Sequence, residues 1–408
     1  MKKIFILAFC FAVTLSAIAQ KKELKKVAKL VKSDKLEEAF IALEAVKGLV
    51  EGTKYESQYH YLRGKRFLGK NENENHHSKA LKEFNTVLDI ETIARQDNFS
   101  EKAIESINSI YDFYLDKAIK SIRAQNFEAS AQQYEKLSKL IPERRDVLRN
   151  ALFSYRDAEN YPKTIMMLEE LLKKEQASNI YTAFNVHTKK MNEFFTKESM
   201  DKAVSLKTHM QPQETGYQEN IRADVYYASL AGLYLKEKNK EKALEVLDSA
   251  KKEFPTKVNF FRDHAAIVYG MNDKNAYLKS LDEVLSLTPN DSQSWFNYGV
   301  VSQELGMTSK AIEAYDKTTI IDPGNRGAYI NKALVILSKE QTIIDELNNS
   351  RGNSKKRNAA KDKMKEMYLA AIAAFEKANE IKEDPAIISN LILMYKEVGQ
   401  TEKAKALE

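Results

Sequence analysis

Six histidines, His60, His76, His77, His187, His209 and His264, and a single cysteine, Cys10, are the residues best suited to metal or nucleophilic chemistry. A zinc-binding helix needs two histidines at i and i+4, one turn apart on one face. No pair in this chain has that spacing. His76 and His77 are adjacent, in a polar run (71–77) that reads as a loop without carboxylates at ligand spacing. No glycine-rich phosphate loop, nucleophile elbow or kinase-type set is present. Carboxylates are scattered beside lysines, as at Glu237, Lys240 and Glu241, which is the pattern of solvated i,i+4 pairs rather than of a catalytic dyad. The expectation is a non-enzymatic chain with no metal and no cofactor.

The N-terminus explains the cysteine. Lys2 and Lys3 precede an apolar run over 4–15, and Ala17-Ile18-Ala19 follows with a small-x-small ending. This is the layout of a secretory signal over 1–19, cleaved after Ala19, and the apolar run is shorter than the roughly 20 residues of a membrane span. Cys10 lies inside it, after Phe9 rather than a small residue, so neither lipidation nor disulfide chemistry is expected. The expected location is the periplasm, with secretion or envelope association as alternatives. Without Lys2 and Lys3 the formal charge falls from +6 to +4. That is near neutrality for 408 residues and gives no sign of nucleic-acid binding. One local exception is a helix with Leu24, Val27, Ala28 and Val31 on one stripe and Lys21, Lys22, Lys25, Lys26, Lys29, Lys32 and Lys35 around it. It reads as a solvated face, with weak contact to an anionic membrane surface as its alternative.

What positions these residues is a repeat. Tyr227, Phe261, Trp295 and Tyr329 stand 34 residues apart, and Pro255, Pro289 and Pro323 keep the same step. Ala231, Ala265, Gly299 and Ala333 occupy a third slot, where a small side chain lets two helices approach. The few glycines and prolines, 13 and 7, favour helices over hairpins of strand. Proline lacks the amide donor that a helix needs, so it closes the second helix of each unit.

With Trp295-x2-Tyr298-Gly299, Gly306, Ala311-x3-Tyr315 and Pro323, the chain resembles the tetratricopeptide repeat family, strongly over 224–335 and more weakly elsewhere. The resemblance implies an all-α, right-handed superhelical solenoid of helix-turn-helix repeats, about nine units and a partial last one. Degenerate repeats are expected over 20–110 and central repeats over 111–223. In the latter the register slips by 11 residues, so the unit at 179–223 is longer, with a loop at 211–217. Three regular repeats follow over 224–325, then one interrupted repeat over 326–385 and a partial repeat over 386–408. The interruption, 338–366, reads as an extended helical hairpin turning at 348–354. In that hairpin, and in Gln20 after the cleavage site, the chain looks like exported repeat proteins of Bacteroidetes-type bacteria.

In this family the first helix of each unit lines a concave binding face. That implies Arg262, Tyr269, Phe296, Asn297, Val300, Gln303, Ile330, Asn331 and Leu334 as partner-binding residues, beside Ala228, Gly232 and Ala266. The family's lysine clamp for a peptide carboxylate is not matched, because Ala228, Phe296 and Ile330 stand where lysine is wanted. The mixed aromatic and aliphatic lining suits an extended segment or an amphipathic helix of a protein partner, although Phe296, Val300 and Leu334 could equally pack the interior. The sequence thus points to an exported protein-binding scaffold of the bacterial envelope. The alternatives are an envelope assembly or tethering factor, and a small-ligand receptor or enzyme accessory subunit, which would need an enclosed pocket with convergent polar groups.

Overall fold

A computed structural model describes residues 19–69, 73–174, 179–215 and 222–408. The expected signal segment, with Cys10, lies outside the described residues except for Ala19, and so do 71–72 and 216–217 of the two expected loops. The described chain divides into two compact units, one ending at Leu233 and the other beginning at Tyr234.

Both units are stacks of antiparallel helix hairpins. The first holds α1 (19–32) with α2 (Leu36–Val50), α3 (Glu56–Phe67) with α4 (Glu74–Ala94), α5 (Ser100–Arg123) with α6 (Phe127–Leu140), and α7 (Arg145–Asp157) with α8 (Tyr161–Lys174). In α1, Leu24 and Val27 are buried against Leu43, Val46 and Tyr59, and all seven lysines of 21–35 are exposed, as the amphipathic pattern requires. The expected loop at His76–His77 is instead the first turn of α4. The Asn73 side chain accepts from the His76 amide at 3.1 Å and caps the helix. His77 is buried and meets the Tyr114 hydroxyl at 2.8 Å. Glu91 closes the next corner. Its buried carboxylate accepts from the amides of Phe99 and Ser100 and from the Ser100 hydroxyl, and so occupies the start of α5.

After α8 the helical pattern breaks. Where a longer repeat was expected over 179–223, the chain forms an antiparallel sheet of β1 (Ile180–Asn185), β2 (Lys190–Phe194) and β3 (His209–Thr215), in the order β2-β1-β3, with α9 (Lys197–Ser205) between the last two. Tyr181, Thr182 and Phe184 are residues of high strand propensity. Ala183, Phe194 and Met200 bury a small core between sheet and helix. Pro212 sits in an outer strand, where a missing amide donor is tolerated. Phe195 N–H donates to the Glu143 carbonyl at 3.1 Å, and His187 meets Asp112 at 2.9 Å, so the insert is tied to the helices that precede it. α10 (Arg222–Lys236) then runs across the division between the units.

In the second unit α11 (Lys240–Glu253) precedes three hairpins: α12 (Val258–Tyr269) with α13 (Lys274–Leu287), α14 (Ser292–Glu304) with α15 (Thr308–Ile321), and α16 (Arg326–Leu337) with the far part of α18 (Ser354–Ile381). α19 (Pro385–Glu397) and the short α20 (Thr401–Leu407) close the chain. Pro255, Pro289 and Pro323 each follow a helix end by two residues. Lys238, Asn272 and Gly306, again 34 apart, carry the positive φ that turns the first helix into the second. The expected hairpin is present, but its first arm is a separate helix rather than the continuation of the repeat's first helix that the pattern past Ile343 suggests. The chain breaks at Ser338–Lys339, and α17 (Glu340–Asn349) packs on the near part of α18. The 28 residues of α18 extend roughly 42 Å. Lys363 and Glu346, 2.7 Å apart, link the two arms.

Ala231, Ala265, Gly299 and Ala333 are all buried, as a close-approach slot demands. A Cβ on Gly299 would lie 2.6 Å from the Tyr315 ring. Trp295 and Phe261 are only half-buried against the α12–α15 core. The full-burial penalty of about 3–5 kcal/mol for an aromatic-to-alanine change therefore does not apply to Trp295.

Candidate functional site

The first helices α12, α14 and α16 carry all nine candidate partner-binding residues. Arg262, Phe296 and Ile330 repeat at one step, Ala266, Val300 and Leu334 at another, and Tyr269 and Gln303 at a third. Arg262, Tyr269, Gln303 and Leu334 are exposed; Phe296, Asn297, Val300, Ile330 and Asn331 are half-buried.

The half-buried residues serve the packing between hairpins. Phe296 and Val300 lie against Ala311, Tyr315, Ala328 and Val335, and Ile330 leans on the α18–α19 core. The two asparagines hydrogen-bond buried phenols. Asn297 serves Tyr277, whose pKa is raised by burial, and further by neighbouring Tyr269, against that bond. Asn331 serves Tyr315, pushed up to about 12 chiefly by burial. The Tyr315 hydroxyl donates to Gln303 at 2.9 Å. Arg262 reaches Asp291, the N-cap of α14, at 2.9 Å. Burial works to raise the Asp291 carboxyl, but the donors Ser294 and Arg262 outweigh it and hold it below the usual range.

Two of the four exposed positions, Tyr269 and Leu334, carry large apolar side chains. Tyr269 is 66% exposed and Leu334 47% exposed, far more than a packing residue needs. Tyr269 and Val300, from successive first helices, line one cleft of about 410 Å³. The Tyr269 and Tyr277 rings meet at 4.9 Å along its wall, and a Lys274–Glu304 ion pair of 3.1 Å bridges its rim. Asn272, Asp273, Lys274 and Glu304 also line it and were not singled out by sequence. The turn residues after α12 could have been found by extending the 34-residue register past the helix end.

The histidines do not assemble a metal centre: among the described residues no group of three His, Cys, Asp or Glu could hold an ion. His60 pairs with Glu83 at 2.7 Å, and His264 meets Ser280 at 3.1 Å. The expected pairing of Lys240 with its neighbouring glutamates is replaced by a bond of 2.8 Å to the Gly270 carbonyl, at the end of α12. No helix among the described residues is long and apolar enough to cross a membrane.

The helix lengths, the small-residue slot and the 34-residue turns define an all-α helical repeat of the tetratricopeptide type, with one inserted sheet. Neither a protein-family pattern nor a curated protein matches the chain. Solved structures that resemble it include a MamA protein, 16% identical over 45% of this chain and 86% of that one, with a TM-score of 0.32. MamA 41-end from Desulfovibrio magneticus RS-1 is 16% identical over 44% and 88%, with a TM-score of 0.31. YrrB, described as a TPR protein with an unusual peptide-binding site, is 14% identical over 63% and 96%, with a TM-score of 0.32. At such values nothing about partner or activity passes from them to this chain.

Proposed function

We propose that the chain is a non-enzymatic scaffold, exported to the bacterial envelope by its N-terminal segment, and that its C-terminal unit binds an extended segment of a protein partner. The basic start, the apolar run over 4–15 and the small-x-small ending Ala17-Ile18-Ala19 support that location. The observation that carries the binding site is the exposure of Tyr269 and Leu334 on first helices whose other apolar residues are packed. Apolar side chains at solvent, beside a cleft with a charged rim, are what a peptide's alternate side chains can fill. Because Arg262, Asn297 and Asn331 are engaged with neighbouring helices, specificity falls to the apolar contacts and to the cleft rim rather than to a carboxylate clamp.

Selection from a random peptide library against the full chain tests this. Tyr269→Ala and Leu334→Asp should each weaken the selected peptides at least tenfold while thermal stability stays within about 0.5 kcal/mol of the parent, as for exposed sites. Peptides that bind both variants as well as the parent would place the site elsewhere.

A further inference from the structure

The sheet insert builds a second concave site: a partly open cavity of about 320 Å³ within the N-terminal unit, lined by residues of α4, α5, the 143–144 turn and the sheet with α9. Asn108 on α5 lies on its wall. This side chain is only 7% exposed, yet it makes no hydrogen bond to another described residue. A largely buried carboxamide has donors and acceptors that must be met by something, and the cavity that Asn108 lines is where a ligand could meet them. The Tyr111 hydroxyl, one turn along α5, and the Glu143 carboxyl face the same space, and Glu143 bonds only its own amide.

The basic groups at this wall are already paired. The Arg144 guanidinium forks Asp146 through two bonds of 2.8 and 2.7 Å, and Lys202 pairs with Asp89 at 3.1 Å. Burial pushes the Glu143 carboxyl up, against the pull of Arg144 and Lys202. Burial and then the Arg144 charge push His209 down to about 4, so its ring is neutral at physiological pH. His209 is also fully engaged, with Asn185, Asn192 and Thr208. An anionic ligand would therefore enter with no unpaired positive charge to meet it, which is unfavourable away from bulk water.

The remaining wall is apolar, with Ile107 and Phe194 facing the space. The volume is near the lower end for small-molecule sites and equals roughly ten water-sized groups, which fits one ring and not a peptide chain. A carboxamide and a phenol each donate and accept, as hydroxyl groups do, and the Glu143 carboxyl offers acceptor oxygens. From this combination we propose that the cavity is a binding site for a small uncharged sugar, a single hexose-sized ring. Its hydroxyl or amide groups would meet Asn108, Tyr111 and Glu143, and its C–H face would lie against Ile107 and Phe194. This site is independent of the peptide groove in the other unit.

Titration of the full chain with N-acetylglucosamine, glucose and galactose, followed by ligand-observed NMR and calorimetry, tests it. Glucuronate and inorganic phosphate serve as charged comparisons. The expected result is saturable one-to-one binding of at least one neutral sugar, at least tenfold weaker for glucuronate. Asn108→Leu should abolish it and Tyr111→Phe weaken it several-fold, each with the parent's circular dichroism. If Asn108→Leu disturbs the fold, Tyr111→Phe, which keeps the ring, decides. No saturable binding of any of the three sugars, tighter binding of glucuronate or phosphate, or sugar binding untouched by Tyr111→Phe would overturn the proposal.

Discussion

Replacing Gly299 by alanine should destabilise the C-terminal unit, although alanine is the better helix former. Gly299 lies inside α14, where the exchange by itself gains about 1 kcal/mol. The new methyl would stand 2.6, 2.7 and 3.0 Å from three carbons of the Tyr315 ring, where ordinary contact begins near 3.4 Å. Tyr315 is fully buried, and its hydroxyl is tethered to Gln303 at 2.9 Å, so the ring cannot swing aside. Forcing an extra carbon into a packed interior costs about 1–3 kcal/mol, and more where nothing can give. The net loss should be about 1–2 kcal/mol. Gly232, inside α10, supplies the comparison: no atom lies within 4 Å of its added Cβ, so Gly232→Ala should stabilise by up to about 1 kcal/mol. Trp295 is the only tryptophan and sits one turn before Gly299, so its fluorescence during urea unfolding follows the affected hairpin. In a double-mutant cycle, Tyr315→Leu should remove most of the Gly299→Ala penalty. A Gly299→Ala protein with a raised fluorescence midpoint, Tyr315 being intact, would refute the packing argument.

Two further outcomes concern the N-terminal unit. His209 has a pKa of about 4 when folded, against 6.5 when free. The unfolded chain therefore takes up the proton first as pH falls, so stability is complete above 6.5 and declines toward pH 4, by at most about 3 kcal/mol. In His209→Gln the urea midpoint should vary less over that window; an unchanged slope would show that His209 does not titrate in this way. Glu91→Ala should cost about 1–3 kcal/mol by stripping the buried N-terminus of α5 of its acceptor, and amide exchange at Phe99 and Ser100 should accelerate. Protection equal to the parent's would contradict the capping role.

The repeat was legible because each slot answers to a contact that every hairpin makes. Ala265 and Gly299 must be small, Pro289 must follow a helix end, and Asn272 and Gly306 must turn the chain. None of this depends on distant sequence. The sheet was missed because the repeat was carried by length across 179–223, although Ile180, Tyr181, Thr182 and Phe184 together favour a strand. Asn73 was taken for loop when its amide side chain starts a helix, a distinction that the hydrogen bond to His76 makes and composition does not. The groove slots were found from the 34-residue step, but the step cannot separate Tyr269, left in solvent, from Phe296, covered by α15 and α16. That depends on which neighbour reaches each side chain. The cavity at Asn108 was illegible for a related reason, since its walls come from four separate stretches of the chain.

The central claim is that the first-helix face of the C-terminal unit carries the partner. A photo-crosslinking side chain placed at Tyr269 or at Leu334, in cells that make the protein, tests it most directly, with the exposed Lys310 and Lys317 of α15 as controls. Both groove positions should capture the same polypeptide, in competition with a library-selected peptide, and both α15 positions should capture none. Capture from α15 equal to that from the groove, or none from Tyr269 and Leu334, would contradict the claim.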